Sequence, residues 1–171
     1  MERTLTDVMI RRDGVTISSG SEAIVKCETL ITTTTTAPEF IDITDDVERI
    51  VAEAGVKFGQ VTIFSKHTTA AIKINEHEPL LMGDMCRVLE QAAPKVAEYD
   101  HNDFSRRTGP MEEDECANGH AHCQHLFLGA SETVPIIDGS MALGRWQRIF
   151  LVELDMPRER NVLVNIVGTK A

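Results

Sequence analysis

Residues 59–75 read GQVTIFSKHTTAAIKIN, and the fold class turns on how that stretch pairs. Val61 and Ile63 alternate with polar neighbours, as do Ile72 and Ile74. Gly59–Ser65 and Ala70–Asn75 therefore carry the two-residue period of half-buried strands. Lys66-His67-Thr68-Thr69 connects them, and hairpin pairing would bring Glu76 near the level of His67. Before this stretch, Val47, Ile50, Val51 and Ala54 recur on one helical face, behind the acidic first turn of Asp45 and Glu48 and ahead of a stop at Gly55. After it, Pro79 suits the first position of a second helix with Leu81, Met85, Val88 and Leu89 on its apolar face, limited by Pro94.

The outer parts of the chain read as β. Thr4–Ile10 and Val15–Ser18 flank Asp13-Gly14, and Ile24–Thr36 ends in Ile31 and five threonines, a β-branched run suited to a pleated surface. Residues 100–118 are polar and irregular. Asn118 can cap a short third helix over 119–128, closed by Gly129. Thr133–Ile137 and Met141–Leu143 flank the hairpin signal Asp138-Gly139. Trp146–Leu154 and Asn161–Val167 read as one more pair. Strands at both ends with two or three helices between them predict an α+β domain with an antiparallel sheet or barrel-like β core, spanning 1–171 as a single unit.

Composition narrows the function classes. The 171 residues carry 17 basic and 27 acidic side chains, a formal charge of −10. With no basic stripe, nucleic acid is not an expected partner. No apolar run approaches the roughly 18 residues of a membrane span, so no membrane partner is expected. The N-terminus lacks a signal-like apolar region, and four cysteines without a CxxC suit reduced thiols, so the expected location is cytoplasmic. The run Glu112, Glu113, Asp114, Glu115 reads as a solvated loop, and a pocket for a small anion can form among Arg145, Arg148, Arg158 and Arg160.

Six histidines are the main chemical signal. His120, His122 and His125 crowd one window: on a helix His122 and His125 share a face, on a strand His120 and His122 do. A structural zinc set of Cys116, His120, His122 and Cys123 has suitable donors but the wrong pitch, since adjacent side chains do not readily reach one ion. His67 ends a strand beside two hydroxyls, a place for a pocket rim or a structural histidine. Asp84 would need a partner if it faced inward. The hydroxyls of Gly129–Thr133 can hold an oxyanion, although the segment matches no serine-hydrolase or phosphate-loop pattern. Glu153 and Asp155, followed by Arg158 and Arg160, read as well as surface ion pairs as functional groups.

The ordered series His67-Thr-Thr-Ala-Ala-Ile-x-Ile-Asn-Glu76, Asp84, Tyr99-x-His101, Asn118-Gly-His-Ala-His122, Leu128-Gly-x-Ser131, Val134-Pro135, Gly139, Leu143-Gly-x-Trp-Gln147 and Glu153 resembles the YjbQ-type family, whose members are described as secondary thiamine-phosphate synthases. The resemblance implies a barrel-like α+β domain, a homotrimer and a polar pocket near subunit contacts. It carries over His67, Glu76, Asp84, His101, His122, Ser131, Trp146 and Glu153, while His120 belongs to only part of the family. The chain departs from the pattern at Cys123, where an aliphatic residue is usual.

The expected chemistry is that of a small-molecule enzyme with an anionic substrate. His67, His101 and His122 would hold a divalent metal, zinc or magnesium, as Lewis acid or template. Glu76, Asp84 or Glu153 would orient histidines or move a proton, Ser131 would help hold an oxyanion, and Trp146 would stack on a ring. The reaction implied is the joining of a pyrimidine diphosphate to a thiazole phosphate. Metal-assisted hydrolysis of a small phosphate or carbonyl substrate, and a non-catalytic trimeric ligand- or metal-binding module, are the alternatives.

Overall fold

A computed structural model of the chain describes residues 9–11, 23–111 and 115–170. The strands are β1 (Met9–Arg11), β2 (Ala23–Thr33), β3 (Glu39–Asp42), β4 (Phe58–Ser65), β5 (Ala70–Glu76), β6 (Ser131–Ile137), β7 (Ser140–Met141), β8 (Gln147–Glu153) and β9 (Glu159–Thr169). The helices are α1 (Thr44–Ala54), α2 (Pro79–Ala92) and α3 (Gly119–His125), with a 3-10 turn at Asp100–Asn102. All recorded strand pairings are antiparallel, so the α+β expectation holds. Among the described residues no helix is long and apolar enough to cross a membrane. Apart from β1, the expected hairpin around Asp13-Gly14 lies outside the described residues, as do residues 112–114 of the acidic run.

The strands form two sheets, β1-β2-β9-β4-β6-β7 and β3-β8-β5. Two expected pairings are thereby corrected. β4 and β5 do not pair, and neither do β8 and β9; each couple is split between the sheets. The cause is legible in β8, where Ile149–Glu153 are all buried. Ile149 and Leu151 join the core facing the larger sheet, while Phe150 and Val152 join a second core with Phe40, Ala71, Leu89 and Ala121. A strand apolar on both faces belongs in the middle of a layered structure and takes partners on both edges. α1 plugs the first core through Val47, Ile50 and Val51, and α2 and α3 cover the outer side of the small sheet.

Local signals mostly act as expected. Gly55 (φ 64°) stops α1, and Asp138 (φ 51°) with Gly139 (φ 83°) makes the tight β6–β7 turn. The start of α1 differs from expectation: Asp42, not Asp45, accepts from the Thr44 amide at 3.0 Å. The threonine run is partly β2 and partly a buried connection, since Thr34 has left the strand and sits 1% exposed. In β4, Phe58 and Phe64 point away from the core and remain exposed, as do Ile137 on β6 and Val167 on β9. Register places all four on one outer face of the large sheet.

Candidate functional site

Because β4 and β9 run antiparallel, the end of β4 meets the start of β9: Ser65 pairs with Val162, and the Lys66 amide donates to the Asn161 carbonyl at 3.3 Å. The connection 66–69 therefore lies against the arginines that precede and open β9. Beneath it is a buried ion pair. Glu153 is 0% exposed and Arg160 2%. Arg160 Nε donates to Glu153 Oε2 at 2.6 Å, and Nη2 donates to both Glu153 Oε1 and Thr69 Oγ1. Glu153 also accepts from the Thr34 hydroxyl at 3.0 Å and from the amides of Leu154 (3.1 Å) and Asp155 (3.0 Å).

Above this pair is a cavity of about 440 Å³, lined by Lys66, His67, Thr69, His101, Arg107, Glu115, Asn118, His122, Arg158 and Arg160 among others. His67 comes from the β4–β5 connection, His101 from the 3-10 turn and His122 from α3. Three distant stretches thus deliver imidazoles to one space, and the rings of His101 and His122 meet edge to face with centroids 4.7 Å apart. Three of the four cations are counterbalanced: Arg107 by Glu115, Arg158 by Asp155 and Arg160 by Glu153. The Lys66 ammonium makes no recorded ion pair among the described residues.

The imidazoles have distinct roles. The Asn161 amide donates to His67 Nε2 at 2.8 Å, so this nitrogen carries the lone pair and the neutral ring holds its proton on Nδ1. Burial, and then the charge of Arg160, push the His67 pKa down. His67 is thus set as a hydrogen-bond donor. As a metal ligand it would have to surrender the amide or lose its remaining proton. The expected set of His67, His101 and His122 is not assembled for one ion within this chain. Among the described residues no three His, Cys, Asp or Glu side chains are grouped to hold a metal. His101 and His122 alone fall short of the three protein ligands of a catalytic zinc, so no step of the proposed chemistry is assigned to a metal. The set Cys116, His120, His122 and Cys123 is likewise not formed: Cys116 Sγ lies 3.5 Å from Asp155 Oδ2, and His120 is buried.

Four expected site residues lie elsewhere in the fold. Glu76 is at the far end of β5, paired with Gln147, whereas Ala70 at the near end pairs with Glu153. At roughly 3.3 Å per residue that is about 20 Å away. The hairpin that would have brought Glu76 toward His67 does not form. Trp146 is exposed in the turn before β8, with the Arg145 guanidinium 4.8 Å above its ring. Asp84 faces outward from α2, paired with Arg87 one turn on. Ser131 is exposed on the outer sheet face, opposite Phe64. Of the four expected arginines, Arg158 and Arg160 line the cavity, while Arg148 binds Asp42 and Asp45. The cavity also takes in Lys66 from the 66–69 connection, Arg107 from the irregular 100–118 stretch and Asn118 from the head of the Asn118–His122 motif, none of which the sequence marks as a site residue.

Glu153 accepts five hydrogen bonds on its two oxygens and is the counter-charge of the buried Arg160. Glu153→Ala strands the Arg160 charge in the interior, and urea unfolding should show a loss of about 3–5 kcal/mol; a fully stable variant would refute the assignment. Burial also lowers the pKa of His67, His120, His122 and His125. Above the ordinary value of 6.5 these rings are neutral whether folded or not. Below it the unfolded chain binds protons that the folded one resists, so stability falls as pH drops. The urea midpoint should be lower at pH 5 than at pH 7.5, and a flat profile would contradict these shifts.

A family model described as "UPF0047 protein YjbQ-like" matches residues 28–169. A UPF0047 protein of Methanothermobacter thermautotrophicus is 41% identical over 130 residues, 76% of this chain and 83% of that protein. The UPF0047 protein YugU of Bacillus subtilis is 36% identical over 82% of this chain and 98% of its own length. Among solved structures, a YbjQ-like protein of unknown function from Sulfolobus solfataricus superposes with a TM-score of 0.77 at 39% identity, covering 85% of this chain and 99% of that one. Sequence and fold agree along most of the length, and the chain belongs to the YjbQ-like UPF0047 family.

Proposed function

We propose that this chain is a small-molecule enzyme that binds an anionic substrate in the cavity between the 66–69 connection, the 3-10 turn and α3. The observation that carries this reading is the convergence of three imidazoles with Lys66 and three arginines on one space. The reaction to test first is the one the family resemblance suggests. In it, a bond forms between the pyrimidine's methylene carbon and the thiazole nitrogen, the carbon–oxygen bond to the diphosphate breaks, and pyrophosphate leaves. Charge develops on the departing oxygens, so fixed cations and N–H donors aimed there lower the barrier. Lys66, Arg158 and His67, which line the cavity, would supply such donors. Burial, followed by the neighbouring His101, lowers the His122 pKa, which keeps that ring neutral and able to take a proton near pH 7.

Steady-state assay of pyrophosphate release with ring coupling tests the reading. His67→Ala, His122→Ala and Lys66→Ala should each lower kcat/KM by about 100-fold or more, the scale of one lost charge-stabilising donor. Full turnover in the His67 and His122 variants would remove these residues from the chemistry. Solvent oxygen appearing in the product would mark hydrolysis, and saturable binding without product would mark a binding module.

The same reading includes a homotrimer. It is supported by Phe58, Phe64, Ile137 and Val167 on an outer sheet face that no helix among the described residues covers, as α1 packs on the inner side. Light scattering at micromolar concentration should give three chain masses, and Phe64→Lys should reduce that value. A monomer mass for the native chain would overturn it.

A further inference from the structure

A second cavity, of about 390 Å³, lies between β3, the edge strand of the small sheet, and the first turns of α2. One of the residues lining it is Gly83, in the interior of the 14-residue helix α2. Glycine there weakens the helix relative to alanine, because it fixes the most backbone freedom and adds no contact. No packing demand accounts for it. Outside the helix's own backbone, a Cβ built at Gly83 would meet only Arg87 Nη1, 3.7 Å away at the end of an exposed side chain. Met82 and Cys86 of the same helix line the cavity beside it. The helix thus gives up stability to keep open a space that no other part of the described chain fills.

The other lining residues set the chemistry. Phe40 from β3 and Met82 give an apolar surface continuous with the second core. His77 is held from two sides: its Nδ1 lies 2.8 Å from Asp42 Oδ2, and its ring meets Phe150 edge to face with centroids 5.5 Å apart. Asp42 also accepts from Arg148 Nε at 2.8 Å and from the Thr44 amide and hydroxyl. A carboxylate so paired only accepts, so His77 carries a proton on Nδ1 and the neutral ring keeps Nε2 as its acceptor. Glu39 lines the same space, its carboxylate fixed by the Thr35 amide at 2.6 Å and the Thr35 hydroxyl at 2.9 Å. No Lys or Arg is among the lining residues. A fixed negative charge and an imidazole acceptor beside apolar side chains suit a ligand with a charged N–H head and an apolar body. We propose that this cavity binds a small flat organic cation, an amidinium or ammonium group on an aromatic ring, with the head at Glu39 and His77 and the ring on Phe40, Met82 and the bare backbone of Gly83. The proposal is independent of the anion-binding reading of the histidine cavity.

NMR-detected titration of the isotope-labelled native protein at pH 8 with benzamidine, benzamide and benzoate tests it. The three probes share one shape and carry a positive charge, no charge and a negative charge. Benzamidine should shift the amide signals of Gly83 and Cys86 saturably, and should bind about tenfold or more tightly than benzoate, whose charge repels Glu39. Glu39→Gln, which keeps an acceptor for Thr35, should weaken benzamidine about tenfold and leave benzamide unchanged. Gly83→Ala separates binding from folding: it should raise Tm by about 1–4 °C while weakening benzamidine about tenfold, because the added methyl group strengthens the helix and fills the opening. Benzoate binding as tightly as benzamidine, benzamidine leaving the Gly83 and Cys86 signals unmoved, or undiminished affinity in Gly83→Ala would each overturn the proposal, and none of these results bears on the histidine cavity.

Discussion

The buried Glu153–Arg160 pair organises everything around the cavity. An arginine in the interior is tolerable only when its charge is matched and its N–H groups find acceptors. Glu153 provides the charge, and Thr69 accepts the Nη2 hydrogen that Glu153 leaves over. The pair also crosses the architecture, since Glu153 ends the central strand of the small sheet and Arg160 lies near the start of a central strand of the large one. With Thr34 and Thr69 drawn into the same network, four separate segments are fixed relative to one another. The 66–69 connection is thereby held against β9, and His67 is set by the Asn161 amide.

That arrangement explains the cavity's electrostatic character. The chain is acidic as a whole, yet four cations gather here, and three of them are balanced by carboxylates from nearby segments. Such pairing holds the guanidiniums in place, and among the described residues Lys66 makes no recorded ion pair. The His67 and His122 rings are partly desolvated, which favours their neutral forms. A wall of fixed donors facing neutral rings suits an anion that enters, is oriented and exchanges a proton.

Single positions show how far the sequence could be read. Gly55, Pro79 and Asp138-Gly139 act through their own backbone preferences, and each boundary they mark is where local chemistry placed it. Asn118 is the instructive exception. Its residue type and position both say cap, but Asp155 offers a charged acceptor that the local sequence does not reveal, and the side chain turns to it. Glu153 likewise reads in the sequence only as an acid near two arginines, and its five donors, gathered from distant segments, are seen only in the fold.

By itself the sequence determined the α+β class, the main helices, the β6–β7 hairpin and the three histidines that share the cavity. Hydrophobic period and turn chemistry act over a few residues, and ordered motifs survive in a linear string. Only the tertiary structure decided that β4 parts from β5 and β8 from β9, since pairing depends on which faces are buried across the whole molecule. That decision carried Glu76 and Trp146 to the far end of the fold and brought Lys66, Asn118 and Arg158 to the histidines. A contact between residues 94 positions apart sets which nitrogen of His67 holds a proton, and one between residues 37 positions apart turns the Asn118 amide away from its helix.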